Sequence, residues 1–275
     1  MGELLKQIDV WFDAPWMEEL EEVSAQALSI RMSDARTGEV SVVEEGVLKL
    51  TTEDNVIALN ISVQLDQPSG PPAQLFFSAD KAKGSEGARL VAKFTDLRAR
   101  DLASQVSALN FLNVLDAPAS GALTVEVDSE GQLASLAGTL DLEAGVLRPT
   151  EQAQPVFFNS AKSYLRYNAA TRRLEFDQIT LDSPQLRLSA TGHAELRDFV
   201  SGIPETLLGQ LRFTNVLLAP EGMFEAPVSF ETGALDLRYR PKELALDVGQ
   251  LVLSNKDGSE LLAKGTVDVL SLIHI

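Results

Sequence analysis

The strongest pattern in the sequence is an alternation of apolar and polar residues with a period of two. It runs through residues 57–65, 123–128, 186–196, 235–240 and 244–248. In each run the apolar side chains would occupy one face of a β-strand and the polar ones the other. Strands of this kind are typical of antiparallel sheets with one face in water, and not of buried parallel sheets. The sequence therefore predicts a mainly β protein.

Turn-forming residues separate these runs. Residues 128–131 (Asp-Ser-Glu-Gly) and 255–258 (Asn-Lys-Asp-Gly) predict tight hairpin connections. The apolar alternation changes phase between Phe176 and Ile179 and again near Gly233. A β-bulge or a tight turn is expected at each of these points, because an extra residue is needed to keep the apolar side chains on one face.

Helical patterns are few. One helix would begin at Asp13 and carry its apolar stripe as far as Ala27, and a second would follow Asp101 as a helical insertion near 101–115. Residues 201–208 predict a further turn or two of helix. The expected fold is an extended, twisted and curled antiparallel β-sheet, a trough of repeated hairpins, with two short helices.

A weak internal repeat supports the idea of repeated hairpins. The tetrapeptide Phe94-Thr95-Asp96-Leu97 resembles Phe213-Thr214-Asn215-Val216, and a strand that begins with Gly-Ala-Leu or Gly-Thr-Leu occurs three times. Such drifting copies are typical of hairpin-sized units arrayed in one direction. Short amphipathic strands also resemble one another through composition alone, so the repeat stays a hypothesis at this point.

The predicted organisation has three parts. Residues 1–28 form an N-terminal segment with a short helix, residues 29–269 form the repeated hairpin domain, and residues 270–275 are a non-native tail that resembles translated sequencing adaptor. The N-terminal residues carry charges that a signal peptide would not contain. The start of the chain reads like mid-domain sequence and residues 271–275 break off inside a strand-like run, so the chain is expected to be a fragment of a longer protein.

Charge and composition narrow the function. The 275 residues include 23 Lys and Arg against 40 Asp and Glu, for a net charge of −17. This balance argues against nucleic acid as a partner and against docking on anionic lipid head groups. The chain has no cysteine and only two histidines, which leaves almost no material for thiolate chemistry, histidine metal sites or a serine triad. No catalytic residue, cofactor or metal site is predicted.

An apolar sheet face must be covered by something. The sheet can pack on a second sheet, close into a barrel, or curl into a trough that holds an apolar ligand, and periodicity alone does not choose between these. If the face is a lipid groove, its walls are the apolar residues of the alternating runs. The candidates are Leu59, Ile61, Val63, Leu123, Val125, Leu140, Leu142, Leu174, Phe176, Leu186, Leu188, Leu235, Leu237, Leu244 and Leu246.

Two segments carry a resemblance to a known family. Residues 121–149 (GALTVEVDSEGQLASLAGTLDLEAGVLRP) and 233–253 (GALDLRYRPKELALDVGQLVL) resemble the repeated hairpins of the bacterial AsmA-like proteins. The YhdP type is the more similar branch and TamB the more distant one. The similar strand–turn–strand cadence extends from about residue 29 to residue 269.

The resemblance implies a function and a location. Members of the family are anchored in the inner membrane of Gram-negative bacteria by an N-terminal helix and extend a β-trough through the periplasm. They are thought to carry phospholipids, with the acyl chains in the groove, towards the outer membrane. The sequence printed here has no such helix, so inner-membrane anchoring is expected only of a longer protein.

Two other functions remain open. A structural or adhesive β-sandwich or solenoid would use the same apolar residues to fill a dry core and would carry no lipid. A carbohydrate-active enzyme would need two carboxylates placed in a cleft, and the sequence does not locate such a pair among its 40 acidic residues. The lipid-transfer protein, which is not an enzyme, is the leading hypothesis.

Overall fold

A computed structural model gives the fold. It describes residues 21–33, 40–67, 70–83, 85, 87–100, 114–128, 130, 132–148, 155–200, 203–219, 226–240 and 245–268. Nearly all of these residues lie in seventeen strands. The strands are β1 Glu22–Ser33, β2 Val40–Glu53, β3 Val56–Leu65, β4 Ala73–Ala82, β5 Ala88–Arg98, β6 Leu115–Asp116, β7 Pro118–Val127, β8 Leu133–Leu142, β9 Gly145–Leu147, β10 Val156–Phe158, β11 Ser160–Asn168, β12 Arg173–Asp182, β13 Leu186–Val200, β14 Ile203–Leu218, β15 Val228–Arg240, β16 Ala245–Ser254 and β17 Glu260–Asp268.

Fourteen of the strands form one large antiparallel sheet. Its order is β1-β2-β3-β4-β5-β7-β8-β11-β12-β13-β14-β15-β16-β17, so each strand pairs with the neighbours that flank it in this order. The sheet does not close on itself, because β1 and β17 stand at opposite ends of the order. The prediction of an extended antiparallel sheet built from consecutive hairpins is confirmed.

A small second sheet interrupts the series of hairpins. Its strand order is β10-β9-β6, and Leu147 of β9 pairs with Leu115 on one side and Val156 on the other. Phe157 in the edge strand β10 is 58% exposed. In the chain, β6 precedes β7, and β9 and β10 lie between β8 and β11, so the small sheet takes no position in the strand order of the large one.

Within the described residues, two of the three predicted helical segments are strand instead. Strand β1 covers Glu22–Ser33, so the first helix was wrong over its last turn and a half, and its earlier part lies outside the described residues. Strand β14 occupies Ile203–Leu218, where a helical turn was expected. Both errors have one cause, because pairing along a long neighbouring strand outweighs local helix propensity. Of the insertion near 101–115, only Ala99 and Arg100 are seen to start a helix, and residues 101–113 lie outside the described ranges.

The predicted hairpin turns are present. The Asp128 amide donates to the Gln132 carbonyl at 3.0 Å, and the Asp128 carboxylate accepts from the Glu130 and Gln132 amides at 3.0 and 2.8 Å. In the second turn, the Gly258 amide donates to the Asn255 carbonyl at 3.1 Å, and Gly258 has φ +86°. That backbone angle explains the glycine, which alone adopts it without steric cost.

The phase change between Phe176 and Ile179 is a bulge, as predicted, because the register of β12 against β13 shifts there. Near Gly233 the expected bulge or tight turn is not seen. Phe230 of β15 pairs with Val216 of β14 and Gly233 pairs with Phe213, so both strands advance by three residues and change phase together without a register shift. Across this step Asn215 has φ +55°, a left-handed conformation that Asn tolerates better than other residues. The apolar side chains therefore stay on one face.

The two similar tetrapeptides have similar backbones. Asp96 in the first has φ +57° and Asn215 in the second has φ +55°, each inside a strand. The Asp96 amide also donates to the Ser120 hydroxyl at 3.1 Å instead of to a strand carbonyl. The sequence repeat thus corresponds to a repeated local irregularity that bends the strand.

The chain divides into two compact units. Unit 1 comprises residues 1–97 and 120–138, and unit 2 comprises residues 98–119 and 139–275. The predicted hairpin domain of residues 29–269 therefore extends over both units, and its first strand begins seven residues earlier, at Glu22.

Candidate functional site

In unit 1 the register of the strands aligns apolar side chains into rows on one face of the sheet. Leu59 of β3 pairs with Leu50 on one side and Ala79 on the other, and Ile61 pairs with Leu48 and Phe77. The next positions continue these rows into β5. The rows are Leu50–Leu59–Ala79–Leu90, Leu48–Ile61–Phe77–Ala92 and Val63–Leu75–Phe94.

The other two candidates of this unit lie in β7. Leu123 and Val125 are partly buried there, and β7 neighbours β5 in the strand order. Phe77 in the middle row is 36% exposed, which is more than a closed hydrophobic core leaves to such a large side chain. The rows that cross β2 to β5 of unit 1 are therefore apolar but accessible.

Unit 2 builds the same kind of face from β11 to β17. Leu174 of β12 shares a row with Leu237 of β15, and Phe176 shares a row with Leu235. The complete rows are Tyr167–Leu174–Ala194–Gly209–Leu237–Val248–Gly265 and Leu165–Phe176–Gly192–Leu211–Leu235–Leu251–Ala263. Residues that are more than 60 positions apart in the sequence are thereby brought onto one surface.

Small residues occupy the middle of these rows. Gly192 lies so close to β14 that a Cβ atom there would stand 2.1 Å from the Gln210 carbonyl oxygen. At Gly209 a Cβ atom would stand 2.8 Å from the Leu237 side chain. The strands approach closely here, and the large side chains of neighbouring strands lean over the glycines.

One end of the apolar face in unit 2 is a buried cluster. Its members, each less than one-tenth exposed, are Ala190, Phe213, Val216, Phe230 and Leu253. Leu186, Leu188 and Leu235 are among the partly buried residues packed against them. At this end the candidates stabilise the fold through a dry core, which is the structural role that the second hypothesis assigns to them.

Away from this cluster the candidates are not sealed. Of the fourteen candidates whose surroundings are described, Leu142 is buried at 6% exposure and the other thirteen are partly exposed. Leu244 lies outside the described residues. Leu140 and Leu142 are in β8, which neighbours β11 in the sheet order. The face of unit 2 therefore combines one closed cluster with accessible apolar rows.

The opposite face carries ion pairs. Arg166 donates from Nε and Nη2 to both carboxylate oxygens of Asp177, at 2.7 and 2.6 Å, and Lys162 donates to Asp141 at 2.6 Å. The hydrogen bond from Arg166 lowers the pKa of Asp177 below its ordinary value. The partners of both pairs are 43–65% exposed, so each pair contributes little to stability. Their significance is that this face is in water.

Sequence reasoning missed a substantial part of the apolar surface. Leu207, Leu211 and Phe213 of β14 lie on the apolar face. Leu207 was overlooked because residues 201–208 were predicted to be helical, and Leu211 lies just after that segment. Phe213, Val216 and Phe230 straddle the shared phase change, where a simple alternation of period two fails. A search that allows one bulge in each strand would have found them.

Comparisons with protein-family models, with curated proteins and with solved structures gave no match. Within the described ranges, no helix is long and apolar enough to cross a membrane. Among those same residues, no group of three or more histidine or acidic side chains is arranged to hold a metal ion.

Proposed function

We propose that this chain is part of a lipid-transfer protein that carries phospholipid acyl chains on its apolar sheet face between the inner and outer membranes of a Gram-negative bacterium. The observation that carries the proposal is the partial exposure of ten of the eleven described groove candidates that lie away from the buried cluster of unit 2. Such residues lose contact with water only when something apolar lies on them. The resemblance of residues 121–149 and 233–253 to the AsmA-like proteins of the YhdP type supports the same function.

The energetics favour acyl chains as the occupant. Removing apolar surface from water is worth about 25 cal/mol per Å², so an acyl chain laid along a row of apolar residues is held without a polar anchor. The two complete rows of unit 2 contain no charged side chain from β11 to β17. Without a charged group to fix one position, an acyl chain can move from one row to the next. Localisation in the periplasm, with inner-membrane anchoring in a longer protein, belongs to this proposal.

The second candidate function is a structural or adhesive protein with a dry core. The closed cluster around Phe213 and Val216 favours it, because those residues have no surface left for a ligand. In that case the exposed rows would be covered by other protein and not by lipid. The two functions differ in whether the isolated chain takes up lipid.

Native mass spectrometry of the chain, produced in a Gram-negative periplasm and purified without detergent, separates the two. The test variant is Leu237→Asn with Leu246→Asn, two partly buried positions on the apolar face outside the buried cluster. The matched control is Leu262→Asn, since Leu262 is 67% exposed and pairs with Val252 on the opposite face.

The proposal expects phospholipid on the wild-type chain and on the control, and a several-fold loss on the double variant at unchanged circular dichroism. A folded wild-type chain that carries no phospholipid, and takes none from added vesicles, refutes lipid transfer and leaves the dry-core function.

A further inference from the structure

A shallow polar cavity of about 370 Å³ lies in unit 2, between the turn that joins β11 to β12 and the later part of β13. Its lining residues are Thr171, Arg172, Glu195, Leu196, Arg197 and Asp198. The cavity is open to solvent, so a head group can enter it from the water.

The cavity contains charges of both signs. Arg197 donates to Glu195 at 2.8 Å, and Arg173 reaches the other oxygen of Glu195 at 3.5 Å. Arg172 lies over the ring of Phe199, with 5.7 Å between its guanidinium carbon and the ring centroid. Among the described residues, the Asp198 carboxylate has no hydrogen bond or ion pair. One guanidinium and one carboxylate at the cavity wall are thus available to a ligand.

A continuous apolar path leads from this cavity onto the sheet face. Leu196 lines the cavity and pairs with Leu207 of β14, which pairs with Tyr239 of β15. Tyr239 in turn pairs with the groove candidate Leu246 of β16. All four are partly buried. A polar cavity that continues into an apolar row matches an amphiphile, whose polar and apolar ends need different surroundings.

The overall charge of the chain selects among amphiphiles. At a net charge of −17, the chain repels an anionic head group at long range, whereas a head group with one negative and one positive charge is not repelled. Guanidinium groups suit a phosphate, and a carboxylate suits an ammonium.

We infer that the cavity between Arg172 and Asp198 binds the head group of a zwitterionic phospholipid, with its phosphate at Arg172 and its ammonium at Asp198, while an acyl chain enters the row that begins at Leu196. This inference rests on the proposed lipid-transfer function and adds a head-group preference to it. The phosphate could also come from a soluble phosphodiester, so the experiment includes one without acyl chains.

The test offers the full chain an equimolar mixture of phosphatidylethanolamine, phosphatidylglycerol and diacylglycerol with identical acyl chains, and counts the bound lipids by native mass spectrometry. Wild type should favour phosphatidylethanolamine. Asp198→Asn should lower the ratio of phosphatidylethanolamine to phosphatidylglycerol roughly two- to five-fold, the range for a partly exposed ion pair. Arg172→Asn should lower both phospholipids relative to diacylglycerol.

The variants suit the backbone. Arg172 and Asp198 have φ +51° and +55°, and Asn adopts this conformation readily, so the fold is expected to persist. The matched control is Asp54→Asn, an exposed turn residue of unit 1 with φ +48°.

Three outcomes overturn part of the inference, each in a different way. If Asp198→Asn gives the same lipid ratio as wild type and Asp54→Asn, the head-group assignment is wrong, while lipid transfer stands. If glycerophosphoethanolamine binds as tightly as the intact lipid, the cavity is not a lipid site. If no lipid binds to the wild-type chain, the proposed function itself fails.

Discussion

Replacing Phe213 by alanine tests whether the apolar face has a closed end. Phe213 is 7% exposed and packs in the cluster with Val216 and Phe230. A phenylalanine side chain offers about 200 Å² of mostly apolar surface, and burying nearly all of it stabilises the fold by ~4–5 kcal/mol at ~25 cal/mol per Å². Alanine retains about a third of this, so Phe213→Ala should cost roughly 3 kcal/mol, at the low end of the range for such substitutions.

The same substitution at two more exposed phenylalanines shows how the loss of stability depends on burial. Phe77 on the accessible face of unit 1 is 36% exposed and Phe157 in the small sheet is 58% exposed. In proportion to their buried fractions, Phe77→Ala should cost roughly 2 kcal/mol and Phe157→Ala about 1.4 kcal/mol. The loss of stability at Phe213 should therefore be about twice the loss at Phe157.

Urea unfolding followed by circular dichroism measures the three differences. Because the chain has two units, hydrogen exchange of the β14, β4 and β10 peptides is needed to assign each loss to its own unit. If Phe157→Ala costs as much as Phe213→Ala, burial does not govern stability on this sheet, and the closed cluster has been assigned to the wrong residues. The intermediate value for Phe77 would then have no explanation either.

Three further predictions concern single positions in unit 2. In urea unfolding, Asn215→Gly should change the free energy of unfolding by a few tenths of a kcal/mol, whereas Asn215→Val should cost about 1–2 kcal/mol or more. The reason is that a left-handed backbone penalises a side chain branched at Cβ. Equal stability of the two variants would contradict the left-handed backbone at residue 215. Gly192→Ala should lower the urea midpoint and raise hydrogen exchange in β13 and β14, since its Cβ would stand 2.1 Å from a backbone oxygen; unchanged exchange would refute the close approach. The hydrogen bond from Arg240 lowers the pKa of Asp247. The stabilisation from this ion pair is therefore complete above the ordinary carboxyl pKa near 4 and is lost as the pH falls through the lowered pKa. Asp247→Asn should flatten this part of the pH–stability curve, and an unchanged curve would rule out a stabilising Arg240–Asp247 pair.

Much of the fold could be predicted from the sequence, because its main regularity is local. Leu59, Ile61 and Val63 share a face since side chains alternate along any β-strand, and the turn at Gly258 needs only its own neighbouring residues. The phase change between Phe176 and Ile179 was equally readable. The helix that should have extended to Ala27 was not correct, because strand pairing with β2 overrides a helical stripe whose strength depends only on near neighbours.

The candidate site was predicted in part. The sequence identified one strand's share of a row at a time, such as Leu174 or Leu237, but the row itself exists only because seven strands align in register. Phe213 and Val216 were missed for the same reason, since their common face depends on a phase change that β14 and β15 make together. The cavity at Arg172 and Asp198 was not visible, because its two walls are some two dozen residues apart.

The sequence by itself determined that the protein is a one-sided antiparallel sheet with an acidic surface, where its strands turn, and which residues are apolar on each strand. These properties follow from the alternation of side chains and from formal charge, and neither depends on distant contacts. Only the tertiary structure decided which end of the apolar face is closed, which rows stay accessible, and that Leu196 connects one row to a polar cavity. Each of these depends on the register between strands that are far apart in the chain, and register is set by pairing and bulges together.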